Sequence, residues 1–285
     1  MKTYLDCIPC FLSQALRASR IVTDDESVQR RIMNEVAALV PDIAMEDKPP
    51  AIAERVYRLV SKFTGQPDPY KSIKEASNRN ALALLPRMRQ AVSESKDPLR
   101  TACKLAIAGN AIDFGARAVV DGMDEIFDGA LQLPLAIDHY EAFQSALAKA
   151  EKILILGDNA GEIVFDQLLI EQLHSRRECP ITYAVREKAI INDATLADAA
   201  STGMVRIADV ISNGSGAPGT ILSQCSPQLL SAFEAADLII SKGQGNYESL
   251  SDESGPIFFF LKAKCSVVGD PLNVQLGDAL LLQNS

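Results

Sequence analysis

The sequence predicts an α/β fold in which a helical N-terminal part packs on a three-layer domain with a mainly parallel sheet. Three observations predict it. In the first half, apolar residues recur at helical spacing, beginning with Ile8, Phe11, Leu12, Ala15 and Leu16. In the second half, short apolar runs rich in branched residues alternate with helical patterns, as buried parallel strands do beneath their covering helices. The character changes near residue 150, so residues 1–148 are expected to form the helical domain and 149–285 the sheet domain. No Gly/Ser-rich linker marks the boundary, and close packing of the two parts is expected.

The elements follow in order. After the first helix, Thr23-Asp24-Asp25-Glu26 reads as a capping box, followed by Val28, Ile32, Val36, Leu39 and Val40. Pro49 and Pro50 suit the start of a third helix with the stripe Ile52, Val56, Leu59, Val60 and Phe63, and Gly65 ends it. A helix over 70–92 contains Pro86, which is expected to kink or split it, and Asp97-Pro98 opens another. Residues 138–150 read as an amphipathic helix with Tyr140, Phe143 and Leu147 on one side. Strands are expected at 152–156, 181–185, 205–211 and 238–240, with further ones at 258–261 and 266–268.

Composition bounds the function. Of 285 residues, 47% are hydrophobic and 23% charged, ordinary for a globular chain and against whole-chain disorder. A formal net charge of −9 with no basic run disfavours general nucleic-acid binding, so any anionic substrate must meet local positive charge. No apolar stretch is long enough for a membrane span, and residues 1–10 lack the layout of a signal peptide, so a cytoplasmic location is expected. Among six cysteines, Cys103, Cys179, Cys225 and Cys265 read as buried free thiols.

Ligands of parallel sheets bind beyond the carboxyl ends of the strands. Four such exits are polar, and three of them are glycine-rich. They are Gly157-Asp158-Asn159-Ala160-Gly161-Glu162; Arg186-Glu187-Lys188 continuing to Asn192-Asp193-Ala194-Thr195; Ser212-Asn213-Gly214-Ser215-Gly216; and Lys242-Gly243-Gln244-Gly245-Asn246-Tyr247-Glu248. They are expected to converge on one rim. Asp158, Asn159 and Asp193 offer hard oxygen atoms suited to Mg²⁺ or Mn²⁺. Asp158 and Asp193 equally suit helix N-caps, since each stands just before a helix, and spacing leaves both readings open. Lys242, with Gly243 and Gly245 beside it, suits a phosphate: backbone N–H groups form a cradle and the ammonium adds a point charge.

Other motifs are excluded. Glu248 stands at the third glycine position of the dinucleotide fingerprint, and no P-loop is present. His139 and His174 fall on expected helices away from the strand exits, against a His-based triad or zinc hydrolase. Ala160 replaces the second aspartate that a phosphoaspartate mechanism wants. Cys7-Ile8-Pro9-Cys10 begins a helix, whose dipole lowers a thiol pKa, and suits either a redox or metal role or simple structure. In the helical part, Gly109-Asn110-Ala111-Ile112-Asp113 could place Asn110 and Asp113 over the sheet, or serve local capping.

Together, Cys7-x-x-Cys10, Gly109-Asn110-x-x-Asp113, the Gly157 to Glu162 segment, Asn192-Asp193-Ala194-Thr195 and Lys242-Gly243-x-Gly245-Asn246-x-Glu248 resemble the damage-control phosphatases, formerly domain of unknown function 89, over nearly the whole chain. The C-x-x-C resembles the stand-alone prokaryotic branch. The resemblance implies a helical part on a Rossmann-like domain. It also implies a divalent metal (Mg²⁺, Mn²⁺, Co²⁺ or Ni²⁺) on Asp158, Asn159 and Asp193, and a phosphate site including Lys242. The activity it implies is phosphate removal from sugar phosphates and related, sometimes damaged, metabolites.

On this reading Asp158, Asp193 and Lys242 carry the catalysis, with Asp158 orienting water or acting as nucleophile. Arg186 or Lys188 assists Lys242 in neutralising the phosphoryl oxygens. Asn110, Asp113, Asn246 and Glu248 are expected to contact substrate hydroxyls, and Glu162, Ser212, Asn213, Gly243 and Gly245 to line the same rim. Two alternatives come from other classes. One is an S-adenosylmethionine-dependent carboxyl methyltransferase, an activity described for one eukaryotic branch, for which Gly157 and Gly161 lie too far apart. The other is a non-enzymatic metal or redox protein built on Cys7 and Cys10.

Overall fold

The computed structural model describes residues 1–109 and 129–284. Its first three helices are α1 (Cys7–Val22), α2 (Glu26–Leu39) and α3 (Pro49–Thr64). Their apolar stripes close on a small core of Phe11, Ala15, Ile32, Val36, Ile52, Val56 and Val60. Gly65 ends α3 at φ 68°, a left-handed conformation that a side chain would oppose. The capping box expected from Thr23 is corrected. Asp25 caps α2, its carboxylate accepting from the N–H of Ser27 (2.8 Å) and Val28 (3.4 Å), while the Thr23 hydroxyl accepts from Asp25 N (3.1 Å). The ionised oxygen is favoured at the positive end of the helix.

Next come α4 (Lys71–Glu94) and α5 (Pro98–Gly109). Pro86 does not split α4, which runs unbroken through it. The buried side chains Leu84, Leu85, Met88 and Val92 on either side hold that segment in place, so tertiary packing offsets the lost backbone hydrogen bond.

The rest of the chain forms β1 (Leu135–Asp138), α6 (Tyr140–Leu147), β2 (Ile153–Leu156), α7 (Glu162–Arg176), β3 (Ile181–Val185), α8 (Leu196–Thr202), β4 (Asp209–Ser212), α9 (Pro227–Ala235), β5 (Leu238–Lys242), α10 (Gly243–Leu250), β6 (Ile257–Lys262), α11 (Ser266–Leu272) and β7 (Ala279–Gln283). The seven-stranded sheet has the order β1-β7-β6-β5-β2-β3-β4. All neighbours are parallel except β6 and β7, so the sheet is mainly parallel, as expected.

Side chains alternate between two cores. Ile153, Ile155, Tyr183, Ile240 and Phe258 face the side covered by α4, α5, α6 and α7. Leu154, Leu156, Ile239 and Phe259 face Leu229, Leu250 and Val268 of α9, α10 and α11. Helices therefore cover both faces, giving the three layers.

Three details differ from expectation. Ser266 to Val268 is the start of α11, not a strand; two adjacent valines imitate a strand, but packing of Val268 into the second core sets a helix. β4 starts at Asp209, after a short 3₁₀ turn at Met204–Arg206. β1 and β7 were not foreseen, because a four-residue strand and a leucine-rich strand carry little period-2 signal. With β1 paired to β7, the sheet draws on chain from both sides of residue 149. No helix among the described residues is long and apolar enough to cross a membrane.

Candidate active site

The site begins where β2 ends. Gly157 turns the chain against Tyr183, whose hydroxyl would lie 2.6 Å from any Cβ at that position. Asp158 and Asn159 follow, then Gly161 at φ 79°, which stands as N-cap of α7. The β3–α8 loop folds back along this turn. Ala160 N donates to Asn192 O (2.8 Å), Ala194 N to Asp158 O (2.8 Å) and Arg186 N to Ala194 O (2.9 Å), and Asn159 pairs with Asp193 in a β-bridge. These main-chain bonds bring Asp158, Asn159 and Asp193 together. Neither aspartate is a helix cap. Gly161 and Thr195 hold those positions, the latter in a capping box with Asp198, so the capping alternative is excluded.

Charges concentrate here out of water. Arg186, 2% exposed, donates Nε to Asp193 Oδ2 (2.7 Å), and its Nη2 lies 3.6 Å from Asp158 Oδ1. Its Nη1 donates to Asn246 Oδ1 (3.2 Å) and Thr220 Oγ1 (3.3 Å), while Nη2 has no hydrogen-bond partner among the described residues. Asn246 in turn donates to the carbonyls of Lys242 (2.8 Å) and Gly157 (3.1 Å), tying α10 to the β2 turn. Gly243 lies directly against Asp158: its φ is 78°, and a Cβ there would sit 2.0 Å from Asp158 Oδ2. Asn159 Nδ2 donates to Asp158 Oδ2 (2.8 Å) and Glu162 Oε2 (3.2 Å).

Behind Asn159 runs a second, deeper set. Lys242 Nζ donates to Glu162 Oε1 (2.5 Å), Asp166 Oδ1 (2.5 Å) and Ala106 O (3.0 Å), and Tyr183 Oη donates to Asp166 Oδ2 (2.7 Å). Burial pushes the Asp158 carboxyl up to about 7, with the charges of Asp193 and Glu162 adding to it. Burial also raises Asp193, against the pull of Arg186, and lifts Asp166 to about 6 against that of Lys242. For Lys242 burial acts downward, but Asp166 and Glu162 outweigh it and hold the ammonium above its ordinary value.

The residues expected at one rim are not all brought together. Lys242 is corrected: its ammonium is fully buried, with all three donors engaged by the protein, so in this arrangement it braces the site from behind and does not face a phosphate. Arg186 is the cation beside the carboxylates. Lys188 is exposed on the loop after β3, and Ser212 hydrogen-bonds to the Glu187 carboxylate. Asn213 turns to its own loop, accepting from Ser215 N (2.9 Å) and Glu187 N (3.3 Å). Gly245 is pressed against Pro218, whose carbonyl oxygen a Cβ would meet at 2.0 Å, so it forms no open cradle. Glu248 accepts from Gln244 (2.8 Å), and burial raises its carboxyl. Asn110 and Asp113 lie outside the described residues.

The Cys7 thiol is raised by burial, so the expected lowering by the α1 dipole does not prevail, and Cys10 is exposed. His139 and His174 bond backbone groups at Gln283 and Ile207. Among the described residues, no three His, Cys, Asp or Glu side chains cluster as a metal site; a cation at Asp158 and Asp193 would need the Asn159 oxygen as its third protein ligand.

Sequence reading missed Asp166, Tyr183 and Lys264. Asp166 stands one helical turn after Glu162 on an otherwise apolar stretch, a signal present in the sequence. Lys264 follows β6, and its charge acts on both Asp158 and Asp193; extending the strand-exit rule to this fifth parallel strand points to it.

Comparison with known proteins identifies the family. The damage-control phosphatase ARMT1-like domain matches residues 3–280. A damage-control phosphatase of Archaeoglobus fulgidus is 35% identical over 95% of this chain and 96% of its own. One of Pyrococcus horikoshii is 35% identical over 100% of this chain and 99% of its own. An uncharacterised protein of Methanocaldococcus jannaschii is 38% identical over 98% and 94%. The crystal structure of a DUF89 family protein from Pyrococcus horikoshii superposes with a TM-score of 0.94 at 33% identity, covering 100% of both chains. A match along almost the whole length, in sequence and in fold, places this chain in the ARMT1-like damage-control phosphatase family.

Proposed function

We propose that the protein is a metal-dependent phosphatase hydrolysing phosphate monoesters of small metabolites such as sugar phosphates. In this reading Asp158, Asn159 and Asp193 hold a divalent cation, Mg²⁺ or Mn²⁺, with Co²⁺ or Ni²⁺ as substitutes. One observation carries it. In the connected buried network of described residues, four carboxylates (Asp158, Glu162, Asp166, Asp193) face two cations (Arg186, Lys242). A dication bound among these carboxylates would offset their mutual repulsion. Without one, burial drives the carboxyls toward protonation, the direction seen at Asp158 and Asp166. The donor set is hard oxygen throughout, as these ions prefer.

A bound dication supplies Lewis-acid polarisation of the phosphoryl group and acidifies water. The chain supplies the rest. Arg186 is locked by Asp193, Thr220 and Asn246, and its buried Nη2, 3.6 Å from Asp158 Oδ1 and without a hydrogen-bond partner among the described residues, would donate to a phosphoryl oxygen admitted beside Asp158. Gly243 lets the backbone of α10 approach Asp158. Lys242 holds Glu162, which holds the Asn159 carboxamide, so the ammonium acts as a positioning group. Lys264 offers an exposed cation on the same rim. The methyltransferase alternative wants a glycine cradle after β2, where Asp158 and Asn159 stand instead.

The test is Asp158→Ala, assayed on a panel of sugar phosphates with Mn²⁺. Turnover is expected to fall by about 10³-fold, the scale of losing a principal electrostatic element of a site. Undiminished turnover ends the proposal.

A further inference from the structure

Asn78 lies on α4, in the helical part, and is 4% exposed. Its carboxamide joins the turn after β2 to the first turn of α8, which are remote in sequence. Oδ1 accepts from Gly161 N (2.7 Å), and Nδ2 donates to Asp198 Oδ1 (2.9 Å). Gly161 N can only donate and the Asp198 carboxylate can only accept, so the orientation of the amide is unambiguous. Gly161 ends the turn that carries Asp158 and Asn159, and its φ of 79° is a conformation that needs holding. The other oxygen of Asp198 accepts from Thr195 N (2.9 Å) and Thr195 Oγ1 (2.7 Å), fixing the end of the loop that carries Asp193. One helical turn earlier, buried Lys74 pairs with Asp198 (3.5 Å) and Asp68 (2.8 Å), compensating the charge that Asn78 touches.

We infer that Asn78, backed by Lys74, is a positioning residue that sets the separation of the two ligand-bearing loops and thereby the affinity of the cation site. The inference rests on the metal-dependent reading above. An apolar residue at 78 would pack in the same space but leave Gly161 N and one Asp198 oxygen unpartnered in the interior. Among the described residues, the loops would then be joined through the β-bridge, its main-chain bonds and the Arg186 side chain, which reaches both Asp158 and Asp193. Groups that orient metal ligands from behind typically alter affinity by about 10- to 100-fold.

The experiment titrates Mn²⁺ calorimetrically into wild type, Asn78→Ala, Asn78→Asp and the double variant Asn78→Asp/Asp198→Asn, with amide hydrogen exchange read on the metal-free proteins. Asn78→Ala is expected to bind Mn²⁺ about 10- to 100-fold more weakly. Asn78→Asp, which sets two carboxylates face to face, is expected to bind more weakly still. The double variant keeps the acceptor for Gly161 N and restores one donor–acceptor pair and the charge, so it should recover affinity. Faster exchange at Gly161 and Thr195, with Ile155 in β2 unchanged, is expected in Asn78→Ala. Wild-type affinity in folded Asn78→Ala, or no recovery in the double variant, overturns the positioning role and leaves the proposed function standing. Absence of Mn²⁺ binding by wild type sinks the metal-dependent reading and this affinity role with it. Should Asn78→Ala not fold, the comparison of Asn78→Asp with the double variant decides.

Discussion

The turns after β2 and β3 and the turn after β4 look alike in sequence, all polar and the first and last rich in glycine, yet the protein uses them differently. The first two interlock through main-chain bonds and gather Asp158, Asn159, Asp193 and Arg186. The third folds inward. Asn213 hydrogen-bonds its own loop, Gly219 packs against Ser249 and Gly245, and Thr220 supports Arg186. Both regions are largely buried, so burial does not separate them. Charge does: the first concentrates the Asp158 and Asp193 carboxylates around the Arg186 guanidinium, while the third is held by neutral hydrogen bonds such as Ser215 N to Asn213 Oδ1. Polarity and glycine mark a turn; concentrated buried charge marks a site.

Three substitutions probe that contrast. The largest expected effect on stability is Lys242→Met, which strips the cation from Glu162 and Asp166. Breaking a buried pair in this way costs about 3–5 kcal/mol, measurable by denaturant unfolding. The sign with pH is fixed. The variant's Asp166 carboxyl titrates higher when folded than when unfolded, so the stability this group contributes is present at low pH and is lost as pH rises through its folded value. Asp166 already stands at about 6 with the lysine present, so the deficit should narrow below that pH. A loss under about 1 kcal/mol would mean the deep carboxylates are neutral and the charge argument is wrong.

Arg186→Lys keeps the charge but loses the fork that reaches Asp193, Thr220 and Asn246 together while leaving Nη2 open. We expect kcat/KM for a phosphomonoester to drop about 10²-fold, with weaker inhibition by inorganic phosphate. If phosphate inhibition is unchanged, Arg186 does not meet the substrate. At the small end, Ser212→Ala on the β4 side removes a contact to exposed Glu187 and an exposed hydrogen bond from Gly214 N (3.1 Å), and should alter stability by no more than about 0.5 kcal/mol, with turnover near wild type. A large loss of turnover there would erase the distinction between the two regions.

Much of this was legible beforehand. The alternation of apolar runs with helical stripes announced a mainly parallel sheet, and the strand-exit rule named Asp158, Asn159, Asp193 and Arg186. Ser266 to Val268 misled because two branched residues say little over so short a span, and tertiary contacts then decide. Lys242 misled for another reason. A lysine at the end of a strand reads as a charge offered to solvent, and only the position of Glu162 and Asp166 on α7 shows that it turns inward.

Chemical identity was settled by the linear chain: which residues can supply hard oxygens, where glycines permit tight turns, and a formal net charge of −9. Partnership was decided in three dimensions. Asn78 meets Gly161 and Asp198, and Lys242 meets Glu162, Asp166 and the Ala106 carbonyl, across separations no local pattern encodes. The physical reason is that the role of a buried charge depends on which opposite charges share its low-dielectric surroundings, and packing of whole helices on the sheet chooses those neighbours.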